Sequence, residues 1–218
     1  MVHRDFHTGN ILIKYNIFKR NDAYISDMGL CGKVVNLDKT KVFGVMPYVA
    51  PEVLKGEPYT EAADIYSFGM IMYFVATGRQ PFFNHDHDEY LARKIWKGIR
   101  PEINESEAPK CYADLMKRCW DSDPKNRPDA TEIYKLFSIF CRLCTGENMG
   151  NIPTLGIEGY EIKDQFKRAE EFRKSPVALA EENSQYISRA NYTSQLLNPF
   201  TKNLISTMLL TIEDQYEI

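Results

Sequence analysis

The sequence has few of the features that mark membrane, secreted or nucleic-acid-binding proteins. Its longest apolar stretch, residues 68–76, is far shorter than the roughly 20 residues that a membrane-spanning helix needs. Acidic and basic residues nearly balance, with a formal net charge of -3, so no overall positive field would attract nucleic acid. No signal-peptide pattern is present. We therefore expect a cytoplasmic protein, or a nuclear one, with no membrane or nucleic-acid partner.

Cysteine is scarce and irregularly spaced. The chain has five cysteines, and an odd number without a secretion signal argues against a disulfide framework. Cys141 and Cys144 have the Cys-x-x-Cys spacing that is typical of metal and redox pairs. No second pair and no nearby histidine accompany them, and they lie in an apolar helical pattern. Packing in a helical core is the favoured interpretation, and a metal or redox pair is the alternative.

Local patterns predict a mainly helical fold with one small β-hairpin. Residues 11–13 and 23–26 are short apolar runs joined by a polar connector, as in the two strands of a hairpin. Residues 30–49 show no regular period and predict a long loop. Helical periodicity then predicts four helices, at residues 60–76, 88–97, 108–120 and 129–144. The first of these is apolar on nearly every face, which predicts a buried helix.

Side chains at two of the predicted helix starts have the chemistry of N-terminal caps. Asp88 ends the run His85-Asp-His-Asp88, which we interpret as the loop at a helix start and not as a metal cluster. Asp129 precedes the fourth helix, and Glu132 follows it at the spacing of a capping box.

The composition changes after residue 145, where we place the end of the domain. Residues 146–218 form a polar tail in this interpretation. Within the tail, apolar residues at helical spacing predict one amphipathic helix at residues 161–174. The run 192–200 mixes apolar and polar residues as short docking segments do, but a loosely packed extension is the commoner explanation.

Five short motifs occur in a fixed order along the chain. They are HRDFHTGN (residues 3–10), SDMG (26–29), APE (50–52), DIYSFG (64–69) and DSDPKNRP (121–128). With these motifs, residues 2–142 resemble the catalytic lobe of a eukaryotic-type protein kinase, in the style of the tyrosine-kinase-like branch. A single motif would be a weak signal, whereas five in the right order argue strongly against chance.

The resemblance implies a fold and a reaction. The expected fold is the mainly α, helical C-terminal lobe of a protein kinase, with the small β-hairpin next to the catalytic loop. The expected reaction transfers the γ-phosphoryl group of ATP, with Mg2+, to a hydroxyl group of a protein substrate. Such a transfer depends on positioning and on neutralising charge more than on covalent catalysis.

Four residues would supply the central chemistry by this resemblance. Asp5 is the expected catalytic base for the attacking hydroxyl. Asn10 and Asp27 offer the hard oxygen ligands that Mg2+ prefers, and they would hold the ATP–Mg2+ complex from the two ends of the hairpin. Gly29 is expected to let the backbone turn sharply after Asp27, next to the cofactor. Alone, each aspartate would more often be a surface or cap residue, but the motifs favour the catalytic roles.

Other residues have supporting roles by the same resemblance. His3 would fix the backbone of the catalytic loop, and Arg4 would project towards the activation loop, where it could pair with a phosphate. Within residues 30–49 only Thr40 and Tyr48 carry a hydroxyl group. Because Tyr48 matches a packing position of the family, Thr40 is the expected phosphosite of the activation loop.

Three more residues are expected to stabilise the lobe. Glu52 would form an ion pair with Arg127, which joins the APE motif to a distant loop. Asp64, at the front of the buried helix, would accept backbone N–H groups from the catalytic loop.

Two departures from the family pattern concern the substrate. Ser/Thr kinases usually have a Lys two residues after the catalytic Asp, where this chain has His7, and a Thr before the APE motif, where it has Val45. In the family these two side chains meet in the active site. His7 can still donate an N–H, so it stays a catalytic candidate, whereas Val45 offers no polar group. We expect a Ser or Thr acceptor rather than Tyr.

The resemblance stops short of a whole kinase domain. No glycine-rich phosphate loop and no VAIK-like strand motif occur in the 218 residues. We therefore expect a C-terminal lobe whose N-terminal lobe is missing, with Met1 as an internal residue of a longer protein. The isolated chain would then be marginally folded, and weak or inactive as an enzyme. The alternative is a non-catalytic, kinase-like scaffold that docks on a partner or on a separate N-terminal half.

Overall fold

A computed structural model describes residues 1–15, 22–32, 42–147, 149–175 and 190–197, and it confirms the mainly α fold with a small hairpin. The helices are α1 (Pro51–Leu54), α2 (Glu61–Thr77), α3 (Glu89–Trp96), α4 (Lys110–Cys119), α5 (Ala130–Cys144) and α6 (Gly159–Arg173). The strands are β1 (Ile11–Lys14), β2 (Asp22–Ile25), β3 (Phe43–Gly44), β4 (Asn151–Ile152), β5 (Ile157–Glu158) and β6 (Gln195–Leu196). The four helices predicted from periodicity are α2 to α5.

Helix α2 lies at the centre of the hydrophobic core. More than half of its 17 residues are buried, which explains why it is apolar on nearly every face. Helix α4 packs on it so closely that a Cβ added at Gly69 would lie 3.0 Å from the Cβ of Cys119. The middle of α2 is therefore fixed against α4. The N-terminal end of α2, with Asp64, contacts the catalytic loop.

Strands β1 and β2 form the predicted antiparallel hairpin, with Ile11 opposite Ile25 and Lys14 opposite Asp22. The connector at residues 16–21 lies outside the described residues. The hairpin exposes a group of large apolar side chains, namely Leu12, Ile13, Tyr24 and Ile25. An apolar surface thus lies next to the catalytic loop.

Aspartates cap two helices as predicted. Oδ1 of Asp88 accepts the N–H of Leu91 at 3.0 Å, and Oδ1 of Asp129 accepts the N–H of Glu132 at 2.7 Å. The second half of the predicted capping box is wrong, because the Glu132 carboxylate pairs with Nη1 of Arg118 at 2.7 Å. A guanidinium on α4 is a stronger partner for this carboxylate than a neutral backbone N–H.

Residues after 145 contribute to the same hydrophobic core. Strands β4 and β5 pair with each other, and α6 follows them at the place where a helix was expected. Three apolar side chains of this region, Ile152, Ile162 and Leu197, are buried in the core cluster. Strand β6 pairs with β3, so residues 190–197 return to the lobe. The domain boundary at residue 145 stays a prediction.

The packing predicted for Cys141 and Cys144 is wrong. Both cysteines are exposed, because the turn of α5 points Phe140 and Leu143 into the core instead. Within the described ranges, no group of three or more His, Cys, Asp or Glu side chains is arranged to hold a metal ion. In that same part of the chain, no helix is long and apolar enough to cross a membrane.

Candidate active site

The catalytic loop is attached to the start of α2 through Asp64. The Asp64 carboxylate accepts the backbone N–H of His3 at 2.6 Å and that of Arg4 at 3.0 Å, so the expected contact is present. These bonds hold Arg4 at a φ of 73°, in the left-handed region that residues other than glycine rarely adopt. Burial raises the pKa of Asp64 and outweighs the two N–H donors, which lower it.

His3 connects this loop to the segment that leads to Asp27. Its Nδ1 accepts the N–H of Asp5 at 3.4 Å, and its Nε2–H donates to the carbonyl oxygen of Ser26 at 3.0 Å. The backbone N–H and the hydroxyl of Ser26 donate to the carbonyl oxygen of Asn10, at 2.9 and 3.1 Å. The two ends of the hairpin are therefore joined beside Asp5.

Asp5 and His7 face each other in a buried position, with exposed fractions of 6% and 8%. Nδ1 of His7 accepts the N–H of Gly9 at 3.1 Å, so Nε2 carries the proton of the neutral ring. Nε2 lies 3.6 Å from Oδ1 of Asp5, too far for a good hydrogen bond but close enough for electrostatic attraction. A Cβ at Gly9 would lie 2.8 Å from Cε1 of His7, so the glycine leaves room for the imidazole.

The surroundings of Asp5 keep its carboxyl group ionised. Burial raises the pKa of Asp5, but the nearby His7 imidazole and Ser194 hydroxyl, which favour the charged form, outweigh burial, so the pKa falls below its ordinary value of 3.8. An ionised carboxylate can accept the proton of a hydroxyl group, which is what a general base must do.

Asn10 and Asp27 present oxygen atoms that suit a magnesium ion. Nδ2 of Asn10 donates to the carbonyl oxygen of Asp5 at 2.8 Å, so the amide oxygen is the atom that could bind a cation. Asp27 is exposed and directly follows Ser26, which is bonded to Asn10. An amide oxygen and a carboxylate are hard ligands of the kind that Mg2+ binds. The donor set fits the predicted ion, and the assignment of both residues as ligands stays a prediction.

The sharp turn predicted at Gly29 lies at Asp27 instead. Asp27 adopts the left-handed conformation, with φ at 58°, while Gly29 lies inside the short helical turn Met28–Leu30. Aspartate tolerates this conformation because its short side chain bonds to nearby backbone, here to the N–H of Gly29 at 3.3 Å. A Cβ at Gly29 would lie 3.2 Å from Oδ1 of Asp27. Gly29 therefore supplies an N–H donor and, because it has no Cβ, leaves space beside the Asp27 carboxylate.

The loop before the APE motif forms an apolar wall beside Asp5. Val45 is almost fully buried, and Tyr48 is buried as expected for a packing position. Gly44 has a φ of 144°, and a Cβ there would lie 2.8 Å from Cγ2 of Val49 and 3.7 Å from Oδ1 of Asp5. The backbone of Gly44 therefore passes directly beside the predicted catalytic base.

The ion pair expected between Glu52 and Arg127 is present and buried. Nη1 of Arg127 lies 2.7 Å from Oε1 of Glu52, and Nη2 lies 2.8 Å from Oε2. Arg127 also donates to the carbonyl oxygens of Asp121 at 2.9 Å and Ala62 at 2.8 Å. The pair joins α1, which carries the APE glutamate, to the loop between α4 and α5.

The predicted phosphosite Thr40 lies outside the described residues. Arg4, its expected partner after phosphorylation, is buried in the catalytic loop. The pairing of these two residues stays a prediction.

A comparison with family models covers this whole constellation. Residues 1–136 match the model described as "Protein kinase domain". The chain belongs to the protein kinase family. The matched part of this kinase chain contains the catalytic loop, the APE motif and the Glu52–Arg127 pair, and it ends within α5.

Relatives of this kinase chain include three proteins of Dictyostelium discoideum. One, a probable serine/threonine-protein kinase, is 38% identical over 135 residues, which cover 61% of this chain and 8% of the relative. Probable serine/threonine-protein kinase roco8 is 37% identical over 139 residues, 62% of this chain and 7% of the relative. Dual specificity protein kinase splA is 31% identical over 144 residues, 61% of this chain and 6% of the relative. The chain thus matches less than a tenth of the length of these relatives.

Sequence reasoning missed Ser194 as a residue of the kinase site. The loosely packed extension that we expected is wrong for residues 190–197, because Leu197 is fully buried and Tyr192 is half-buried. The mixed pattern of residues 192–200 is the one signal that indicates docking. Nothing local connects Ser194 to Asp5, because they lie near opposite ends of the chain and tertiary contacts such as the pairing of β3 with β6 bring them together.

Proposed function

We propose that this kinase chain carries the catalytic and magnesium-binding part of an ATP-dependent protein kinase, which phosphorylates a hydroxyl group of a protein substrate. The observation that most supports this proposal is the buried Asp5 carboxylate. The His7 imidazole lies beside it, and the Ser194 hydroxyl lies near it. Polar groups gathered around an ionised, buried carboxylate in this way suit proton abstraction from an alcohol.

In the proposed reaction, Asp5 accepts the proton of the attacking hydroxyl as the new P–O bond forms. Nε2–H of His7 points towards the same place and would donate to an oxygen of the transferred group. Mg2+, when bound, would neutralise phosphate charge, and Asn10 and Asp27 would hold it. The bonds from Asp64 to the backbone fix the loop before any substrate arrives, so little reorganisation is needed.

The proposed acceptor is Ser or Thr in preference to Tyr. The described structure brings a short hydroxyl side chain, that of Ser194, near Asp5 from the residue that directly precedes β6. A tyrosine hydroxyl on the same strand would lie well beyond the carboxylate, because the ring separates it from the backbone. Two of the relatives are named as serine/threonine kinases and one as a dual specificity kinase.

A second candidate function is a kinase-like docking module. The exposed side chains of Leu12, Ile13, Tyr24 and Ile25 form an apolar surface of the kind that marks interaction sites. An N-terminal lobe or another partner would cover it. Because these 218 residues contain no glycine-rich loop, phosphate transfer also requires groups that such a lobe would supply.

Transfer of radiolabelled phosphate from ATP–Mg2+ to a generic protein substrate tests the two functions. The assay compares the wild-type chain with Asp5→Asn and with Asp114→Asn, the same change at a half-exposed carboxylate on α4. We expect transfer by the wild type and by Asp114→Asn, and none by Asp5→Asn. If the wild type stays inactive even when an N-terminal lobe of a relative is added, the enzyme assignment is wrong and the docking module is favoured.

A further inference from the structure

Residues 190–197 run along the loop beside Asp5, and Gln195–Leu196 form the added strand β6. Strand β6 pairs antiparallel with β3, with Gln195 opposite Gly44. The backbone of Gly44 is also the part of β3 that lies beside Oδ1 of Asp5. A strand added to this edge therefore passes the predicted base, in the way that extended peptides bind at the free edges of sheets.

The C-terminal side of this segment is anchored in the core of the lobe. Leu197 is fully buried and belongs to the core cluster. Its backbone N–H donates to the carbonyl oxygen of Val42 at 2.8 Å, which extends the pairing of β6 with β3. The neighbouring Leu196 is exposed, so the two leucines differ sharply in burial.

The N-terminal side is anchored on the loop before α3. The Tyr192 ring packs edge-on against His87, with 4.6 Å between ring centroids, and its hydroxyl donates to the carbonyl oxygen of Pro81 at 3.1 Å. Oδ1 of Asn191 accepts the N–H of Thr193 at 2.9 Å and its hydroxyl at 2.6 Å. This turn fixes the direction in which the chain enters β6.

Ser194 lies between these two anchors and directly precedes Gln195, which pairs with Gly44 beside Asp5. Its hydroxyl helps to lower the pKa of the Asp5 carboxyl group. Oδ1 of Asp5 is buried and has no hydrogen-bond partner among the described residues. The carboxylate thus keeps accepting capacity at the place where an alcohol must give up its proton. Ser194 itself is exposed, which suits a residue that must also meet a phosphoryl donor.

We propose that residues 190–197 are an intramolecular substrate segment, which occupies the protein-substrate groove, and that Ser194 is a phosphorylation site of this same kinase. The proposal rests on the proposed function, because the transfer needs Asp5 as the base. The first substrate of the enzyme is then a segment of its own chain.

The phosphorylation step balances with ATP as the only co-reactant. Oγ of Ser194 attacks the γ-phosphorus of ATP and forms the new O–P bond. The bond from that phosphorus to the β,γ-bridging oxygen breaks, and ADP leaves with its electron pair. The hydroxyl proton of Ser194 passes to Asp5 and from there to solvent.

The product would open the groove. A phosphoserine carries nearly two negative charges at neutral pH. Beside the ionised Asp5 carboxylate these charges repel, so the phosphorylated segment should leave and expose β3 to other protein substrates. Before phosphorylation, the docked segment competes with those substrates.

A binding measurement without ATP tests whether the segment occupies the groove. The probe is a fluorescent synthetic peptide with the sequence of residues 188–200, added to the full chain. Leu197→Asp removes the buried anchor of the segment, so the edge of β3 is free. The variant chain should then bind the peptide at least about tenfold more tightly than the wild type. Leu196→Asp makes the same change at the exposed neighbour and should bind like the wild type. Equal affinities for all three chains would overturn the proposal.

A second variant covers the case in which Leu197→Asp fails to fold. Tyr192→Ala loosens the other anchor without placing a charge in the core, and it should also bind the peptide more tightly than the wild type. Circular dichroism of each chain establishes that it is folded. A folded Tyr192→Ala chain with unchanged affinity would count against the segment as an occupant of the groove.

Mass spectrometry after incubation with ATP–Mg2+ tests the acceptor. We expect phosphate on Ser194 in the wild type, none in Asp5→Asn, and a rate per molecule that does not change on dilution. Phosphate on Thr193 instead, or on an added protein alone, would overturn the acceptor assignment and leave the proposed function standing. No transfer to any substrate would overturn both, and the peptide measurement then decides on occupation of the groove by itself.

Discussion

Replacing Glu52 with glutamine should destabilise the lobe strongly. The change keeps the size of the side chain but removes the negative charge opposite Arg127, whose own side chain is 0% exposed. The other hydrogen-bond partners of Arg127 are two neutral carbonyl oxygens, those of Asp121 and Ala62. Removing one member of a buried ion pair costs about 3–5 kcal/mol, because the other charge stays buried without compensation. That cost is a large part of the roughly 5–15 kcal/mol that stabilises a whole domain.

The matched control is Glu132→Gln, which makes the same change in an ion pair with Arg118. The side chains of that pair are 48% and 40% exposed, and exposed pairs contribute at most about 1 kcal/mol. Urea unfolding followed by circular dichroism gives the free energy of unfolding for each variant. Glu52→Gln should lose at least about 2 kcal/mol more than Glu132→Gln. Equal losses would refute the argument that burial of Arg127 sets the cost.

Two further predictions concern His7 and His87. Gly9→Ala should lower kcat for phosphate transfer, because its Cβ would displace the His7 imidazole. The control is Gly150→Ala, where an added Cβ has open space, and kcat should stay unchanged. The docking of residues 190–197 should weaken as pH falls from about 7 to about 5. Burial lowers the pKa of His87 below its ordinary value of 6.5, although the hydrogen bond to Asn191 raises it. As pH falls, His87 of the undocked form therefore binds a proton before His87 of the docked form does. Docking then loses stability below pH 6.5. Hydrogen-exchange protection factors of residues 190–197, measured between about pH 7 and pH 5, check this prediction. His87→Phe should make these protection factors independent of pH in this range. The charged and titratable groups around His87 are His85, Asp86, Asp88 and Tyr192.

The parts of the fold that sequence could predict are those that local patterns decide. Helices α2 to α5 follow from periodicity, and the caps at Asp88 and Asp129 follow from side chains that bond within three residues. The same local rule gave a wrong partner for Glu132, because Arg118 comes from another helix and its charge decides the contact. At Gly29 the rule that glycine makes the sharp turn was wrong, because the side chain of Asp27 stabilises that conformation itself.

The kinase site could be predicted from sequence only where its residues lie in motifs. Asp5, Asn10 and Asp27 come together through the hairpin, which local strand patterns indicate. Ser194 is brought towards Asp5 by the pairing of β6 with β3, next to the buried Leu197. Strand pairing between distant segments leaves no periodic trace in two-residue strands, so no sequence pattern indicates it.

The two departures from the usual Ser/Thr kinase pattern are consistent with each other. With Nδ1 accepting the N–H of Gly9, His7 offers the site the N–H at Nε2, where a lysine would bring a permanent charge. A threonine at the position of Val45 would add a hydroxyl that contacts the catalytic Asp in the family, whereas valine adds only an apolar wall. At position 45 no hydroxyl group is therefore available to bond the Asp5 carboxylate, and Oδ1 has no hydrogen bond among the described residues. Together the replacements leave the Asp5 carboxylate open to a serine hydroxyl, such as that of Ser194.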